Sequence, residues 1–210
     1  MRRRAPDTTA VRRRRRHTVG LLGGSFNPAH DGHLYVSRQA LCRLGLQEVW
    51  WLVSPQNPLK PKSGMADFNQ RLMRARRFAA DRRIKVKGIE RTLGTRYTVD
   101  TLTALGSRFQ NHRFVWLIGA DNLVQLPRWQ RWTRIFHLVP IAVFARKPYD
   151  FKALNGQAAC RFARFRRPGK AAGRLAWQRP PAWVFLAMRR HPASATAIRM
   201  RAPKGPDLSA

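Results

Sequence analysis

Hydrophobic positions along this 210-residue chain recur with two periods that take turns. Apolar, β-branched or aromatic runs at 18–22, 48–53, 84–88, 114–118, 140–144 and 183–187 predict strands. Between them, apolar residues at helical spacing predict helices over 34–44, 67–80, 99–107 and 129–136, each amphipathic enough to cover a sheet. Alternating strands and helices predict an α/β fold, a doubly wound parallel sheet with helices on both faces. Ligands of such sheets bind beyond the C-terminal strand ends, near the topological switch. Residues 151–179 break the rhythm. Gly156, Pro168, Gly169 and Gly173 among scattered arginines predict a loop-rich basic connection with one short helix.

The length suits one domain, over 18–201, large enough to bury a core. Residues 1–17 carry eight arginines and one acid without apolar periodicity, so they read as a disordered tail or an over-extended start. Residues 202–210, with Pro203, Gly205 and Pro206, read as a mobile tail. Cys42 and Cys160 lack metal-ligand spacing, and Cys42, inside the first predicted helix, is expected in the core. No run is long enough to span a membrane and no secretory signal is present, which points to the cytoplasm.

Forty-two Lys and Arg against ten Asp and Glu give a formal charge of +32, and no acid occurs between Asp150 and Asp207. Polyanions are the natural partners of such a surface. For the folded part the reading is a basic surround for phosphorylated substrates; non-specific attraction to RNA or to a membrane surface is left open only for the arginine-rich tail. Oligomeric state is not written in the pattern.

The chemistry concentrates after the first strand, in Gly23-Gly24-Ser25-Phe26-Asn27-Pro28-Ala29-His30-Asp31-Gly32-His33. A strand-to-helix turn there presents free N–H groups and the positive end of a helix dipole to an anion, and glycine allows the backbone close to phosphate. His30 and His33 are three apart, so a helix starting near Asp31 turns both toward one ligand. Imidazole can then donate a proton to a phosphate oxygen as charge builds. The bland reading is a helix-capping histidine beside a surface one. Six fixed positions in G-x-F-x-P-x-H-x-G-H, with a chance frequency on the order of one in ten million or less per start, favour the functional one.

These residues resemble the signature of the H-x-G-H nucleotidylyltransferases. From about Thr18 to Arg201 the chain is similar to the bacterial nicotinate-nucleotide adenylyltransferases, which join ATP and nicotinate mononucleotide to give deamido-NAD and pyrophosphate. The resemblance implies a Rossmann-like fold, and an ATP site at Gly23, Gly24, Ser25, Phe26, His30 and His33. The absent dinucleotide fingerprint G-x-G-x-x-G argues against a bound NAD used for hydride transfer.

Other segments fill in the expected site. After the second strand, Asn57-Pro58-Leu59-Lys60 stands where the family has P-P-H-K; Lys60 carries over as a polyphosphate ligand and Asn57 as an acceptor-side residue, while Leu59 replaces the histidine. Glu90, Thr95 and Tyr97 lie in a run resembling E-x-x-R-x-G-x-S-Y-T-x-D-T-L, the loop that lines the nicotinate mononucleotide pocket, and Thr98 is a credible N-cap for the next helix. Gly119 and Asp121 match the G-A-D element of the nucleotide site. In Leu126-Pro127-Arg128-Trp129 the family's L-P-x-W implies that Trp129 stacks on the pyridine ring, leaving Trp132 to the core. Ser194-Ala195-Thr196-Ala197-Ile198-Arg199 resembles S-S-T-x-I-R, so Ser194, Thr196 and Arg199 are second phosphate ligands, with Ala195 lacking the usual hydroxyl.

The implied reaction is direct in-line attack of the mononucleotide phosphate on the α-phosphorus of ATP. The attacking group is already ionised, so catalysis reduces to positioning and charge stabilisation by His30, His33, Lys60 and Arg199, with Mg²⁺ accompanying ATP and no protein metal site. Rival readings are adenylyl transfer to nicotinamide mononucleotide or phosphopantetheine, and a basic nucleic-acid-binding protein.

Overall fold

The computed structural model describes residues 16–55, 64–145 and 148–188. In chain order these form strands β1 (His17–Gly24), β2 (Glu48–Val53), β3 (Ile84–Lys87), β4 (His112–Gly119), β5 (Ile141–Phe144), β6 (Arg166–Arg167) and β7 (Trp183–Leu186). The helices are α1 (Asp31–Arg43), α2 (Phe68–Phe78), α3 (Ile89–Leu93), α4 (Thr98–Arg108), α5 (Ala120–Gln125), α6 (Trp132–Leu138), α7 (Asp150–Leu154) and α8 (Gln157–Arg161).

The strands make one sheet in the order β3-β2-β1-β4-β5-β7-β6, with every pairing parallel. The chain winds outward from β1 through β2 to β3, then crosses back to place β4 on the other side of β1. The switch point therefore lies between β1 and β4.

Alternation along each strand feeds two separate cores, one on each face of the sheet. Val19, Leu21, Trp50, Leu52, Phe114, Trp116, Ile141 and Val143 pack with α4, α5 and α6. Leu22, Val49, Trp51, Val53, Val115, Leu117 and Phe144 pack with α1, α2 and the 3₁₀ segment Gly169–Trp177. Gly20 keeps the centre of the sheet tight, because a Cβ there would lie 2.7 Å from Leu117 and 2.8 Å from Leu46.

The structure departs from the sequence reading at several places. Residues 151–179 are not mainly loop: they supply most of α7, then α8, two 3₁₀ segments and the additional strand β6. Their buried positions are largely alanines, Ala153, Ala158, Ala159, Ala172 and Ala176, which carry little apolar signal between exposed arginines. Helix α6 starts at Trp132 rather than 129, because Leu126–Arg128 is a 3₁₀ turn, Trp129 is extended and Arg131 is left-handed at φ 48°. Thr98 is the first residue of α4 instead of its cap, and the capping position falls on Tyr97 without a side-chain bond. Cys42 is exposed on the outer face of α1, not in the core, as is Cys160. Of the tail assigned to 1–17, His17 instead opens β1 and pairs in register with His112 of β4, while residues 1–15 and the tail at 202–210 lie outside the described residues.

Candidate active site

The turn after β1 is held from beneath. Gly24 ends the strand, Phe26 takes a left-handed conformation at φ 47°, and the chain passes through a cis Asn27–Pro28 bond into α1. Asn27 ties the turn to the approach to α2, donating to Gly64 O at 2.9 Å and accepting from Ala66 N at 3.3 Å.

The two histidines cap α1 reciprocally. His30 is the N-cap residue, and its Nδ1 accepts from Gly32 N at 3.1 Å. In return His33 Nδ1 accepts from His30 N at 3.2 Å. This is a capping box with imidazoles in place of Ser and Glu. Because each Nδ1 is an acceptor, each ring carries its proton on Nε2. The capping reading and the catalytic reading thus use different nitrogens of the same rings. The rings lie 3.9 Å apart between centroids, with His30 only 7% exposed.

A shelf of aromatic side chains sets the height of His33. Its ring sits 4.6 Å from Phe26, which stacks on Trp51 at 5.0 Å. Trp51 donates to Ser37 Oγ at 2.8 Å, and Ser37 donates back to His33 O at 2.8 Å, closing a ring of contacts under α1. Phe26 is 2% exposed, so it contributes the shelf and its main chain rather than a ring surface for ATP.

Gly23 is glycine for a reason different from phosphate approach. A Cβ there would lie 2.6 Å from the Trp116 ring, so the residue makes room for a core side chain. Gly119 ends β4 beside this turn, and Asp121 follows in the first turn of α5.

The acceptor-side candidates gather at the starts of α3 and α4. Gly94, left-handed at φ 63°, ends α3, and Thr95 N donates back to Glu90 O at 3.0 Å. Thr95 and Thr101 share a hydroxyl hydrogen bond of 2.9 Å. Asp100, three residues after Tyr97, pairs with Arg131, two residues after Trp129, which draws the two aromatic candidates to one region. Trp129 is half-buried against the core, and its Nε1 has no hydrogen-bond partner among the described residues. Trp132 is also half-buried, edge-on to Phe136 and Phe162. Glu90 is 8% exposed, and burial pushes its carboxyl up to about 7.

Comparison with known proteins decides the family. Residues 21–201 match the family model of the cytidylyltransferase-like proteins. A Parvibaculum lavamentivorans protein named "Probable nicotinate-nucleotide adenylyltransferase" is 55% identical over 183 residues, covering 87% of this chain and 91% of that protein. A Bradyrhizobium protein of the same name is 50% identical over 181 residues, covering 86% and 94%. The chain belongs to the nicotinate-nucleotide adenylyltransferase family. The same fold is found in a solved structure described as Plasmodium falciparum nicotinic acid mononucleotide adenylyltransferase complexed with NaAD. That structure has a TM-score of 0.66 and 15% identity, over 88% of this chain and 83% of the other.

Within this family frame, the fold brings Gly23, Gly24, Ser25, His30, His33, Gly119 and Asp121 to the C-terminal ends of β1 and β4, at the switch point. Glu90, Thr95, Tyr97 and Trp129 form the second group. Asn57, Leu59, Lys60, Ser194, Ala195, Thr196 and Arg199 lie outside the described residues. Among the described residues no cluster of three or more His, Cys, Asp or Glu could hold a metal ion, and no helix is long and apolar enough to cross a membrane.

One residue of the site region escaped the sequence reading. Arg71 on α2 is 2% exposed and donates four hydrogen bonds: Nε to Ala66 O at 2.9 Å, Nη1 to Ser25 O at 2.6 Å and Ser54 O at 2.9 Å, and Nη2 to Pro55 O at 2.8 Å. The available signal was its position in the apolar stripe formed by Phe68, Leu72, Ala75 and Phe78.

Proposed function

We infer that this chain transfers the adenylyl group of ATP to nicotinate mononucleotide, giving deamido-NAD and pyrophosphate in NAD biosynthesis. Relatives named for this activity at about half identity, over most of both chains, support the substrate pair. The observation that carries the chemistry is the paired imidazoles at the N-terminus of α1, whose Nδ1 atoms are occupied by backbone N–H groups.

That arrangement fixes both Nε2–H groups as donors in advance of any ligand. A polyphosphate laid across the N-terminus of α1 meets the helix dipole and two directed donors without reorganisation at the moment of reaction. The attacking phosphate of nicotinate mononucleotide is ionised at neutral pH and requires no general base. The residues' work is to hold the α-phosphorus in line with that oxygen and to absorb charge as pyrophosphate leaves. His30 and His33 do this together with Lys60 and Arg199, and Ser194 and Thr196 supply further phosphate contacts. Asn57, Glu90, Thr95, Tyr97 and Trp129 hold the acceptor, with Trp129 stacked on the pyridine ring.

A divalent cation, Mg²⁺, comes with ATP as part of the substrate. Such an ion keeps several waters and is held largely by substrate phosphates, which suits a site where Asp121, in the first turn of α5 just after β4, is the acid.

The test is pyrophosphate release from ATP with nicotinate mononucleotide, nicotinamide mononucleotide or phosphopantetheine supplied separately. Release is expected with the first, and its absence there would sink the reading. Salt-sensitive RNA binding that survives loss of both histidines, with no pyrophosphate release, would instead favour the nucleic-acid-binding alternative.

A further inference from the structure

Helix α2 carries an arginine where its apolar face calls for a hydrophobe. Phe68, Leu72, Ala75 and Phe78 turn toward the sheet, and Arg71 lies among them. A guanidinium has five N–H donors, and four of them here are spent on main-chain carbonyls. Those carbonyls come from three separate stretches: the turn after β1 at Ser25, the end of β2 at Ser54 and Pro55, and the approach to α2 at Ala66. No carboxylate of a described residue forms a salt bridge with it; the nearby Asp67 carboxylate caps α2, accepting from Asn69 N at 2.7 Å, and acts on the guanidinium through space.

Burial of this kind is costly, and a hydrophobe of similar volume would serve packing alone. What the planar fork adds is geometry. It fixes where two backbone segments stand relative to each other, whatever side chains they carry. Ser54 N also donates to Gly24 O at 2.9 Å, so the two segments are joined once by the sheet and again by Arg71. Five residues beyond Ser25 stands His30, the cap of α1.

We propose that Arg71 is a positioning residue of the active site: its guanidinium locks the turn after β1 against the end of β2, so that His30 and His33 present their Nε2 atoms to one polyphosphate. Burial lowers the guanidinium pKa from its ordinary value against the opposing pull of the Asp67 carboxylate, and an arginine keeps its proton in a protein. The proposal rests on the adenylyl-transfer reading of that turn.

The experiment compares wild type with Arg71→Met and Arg71→Lys by steady-state kinetics per folded molecule and by backbone amide exchange. In Arg71→Met, kcat should fall about tenfold or more and KM for ATP should rise several-fold, while KM for nicotinate mononucleotide stays within about twofold. Arg71→Lys should recover part of the loss, because an ammonium can reach two or three of the carbonyls but cannot present the fork. The Gly32 and His33 amides should exchange faster in both variants while those of β4 are unchanged.

A residue serving only stability would lower the folded fraction and leave kcat and KM for ATP of the folded molecules at wild-type values; that result overturns the proposal. Should the variants not fold, exchange in the wild type under mild denaturant decides. Gly32, His33 and Ser54 must open together with α2, and independent opening of the turn overturns the lock. The exchange measurement contains no substrate, so a wild type inactive toward nicotinate mononucleotide would remove the functional reading while still judging Arg71.

Discussion

At the C-terminal edge of the sheet His30 and His33 lie ring to ring at 3.9 Å, and at the N-terminal edge His17 and His112 lie 5.3 Å apart. Both pairs are aromatic neighbours, yet their polar atoms meet opposite environments. Each Nδ1 of the first pair is bound by a backbone N–H at the start of a helix. In the second pair His112 is walled by Phe109, Phe114 and Trp50, and its Nδ1 is buried without a hydrogen-bond partner among the described residues. His17 lies 3.7 Å from Glu48, whose Oε2 also accepts from Trp50 Nε1 at 2.8 Å. Histidines that close on one edge are held through Nδ1 at a helix N-terminus; on the other they are packing groups around one carboxylate. The backbone around the ring, not the ring, makes the difference.

The largest effect expected from breaking this contrast is at His33. His33→Gln keeps an acceptor for His30 N, as a capping-box glutamine does, but removes the directed imidazole donor. Its kcat should fall by about two orders of magnitude, with a Tm near wild type, by analogy with loss of one oxyanion donor. His17→Gln at the other edge should leave kcat unchanged; parallel kinetics and thermal melts check both.

Next in size is Trp129→Ala, which should raise KM for nicotinate mononucleotide about tenfold with KM for ATP unchanged, the scale of a lost aromatic contact. Equal rises in both KM values would remove Trp129 from the acceptor side.

Glu90→Gln tests a buried acid that has no ion-pair partner among the described residues. Its folded pKa is raised from 4.5 to about 7, so the folded state holds the extra proton and stability is lost as the pH rises through that interval. The glutamine variant should match wild type below pH 4.5 and melt several degrees higher than wild type above pH 7. A constant offset across the range would refute the assignment.

The smallest effect belongs to His112→Phe. Burial and the neighbouring His17 lower the His112 pKa from 6.5, so the unfolded chain binds the proton first and wild-type stability falls as the pH drops below 6.5. The phenylalanine variant should lose that part of the acid slope and keep full activity. Melts across this range, with an assay at neutral pH, provide the check.

Much of the fold was legible because each strand advertises itself by its own run of apolar residues. Trp50, Trp51 and Leu52 of β2 satisfy both faces, and nothing outside the run was needed to recognise it. The histidine turn was legible for a similar reason: its glycines, proline and imidazoles are contiguous, so the resemblance and the chemistry sit in one stretch. Arg71 was not legible. Its meaning depends on carbonyls 5, 16, 17 and 46 residues away, and a polar residue in an apolar stripe gives no hint of where its partners are. Residues 151–179 were misread because alanine buries well without marking the pattern. Cys42 faces solvent because it falls beside Leu41, one position off the buried stripe of α1.

By itself the sequence determined a parallel α/β sheet, a histidine-bearing turn after its first strand and the family that shares it, because these depend on local periodicity and contiguous residue types. The tertiary structure alone decided that β1 and β4 flank the switch point, that the two imidazoles cap one helix through Nδ1, and that a buried arginine joins the turn to β2. Those properties arise from hydrogen bonds between segments far apart in the chain, and no local pattern records them.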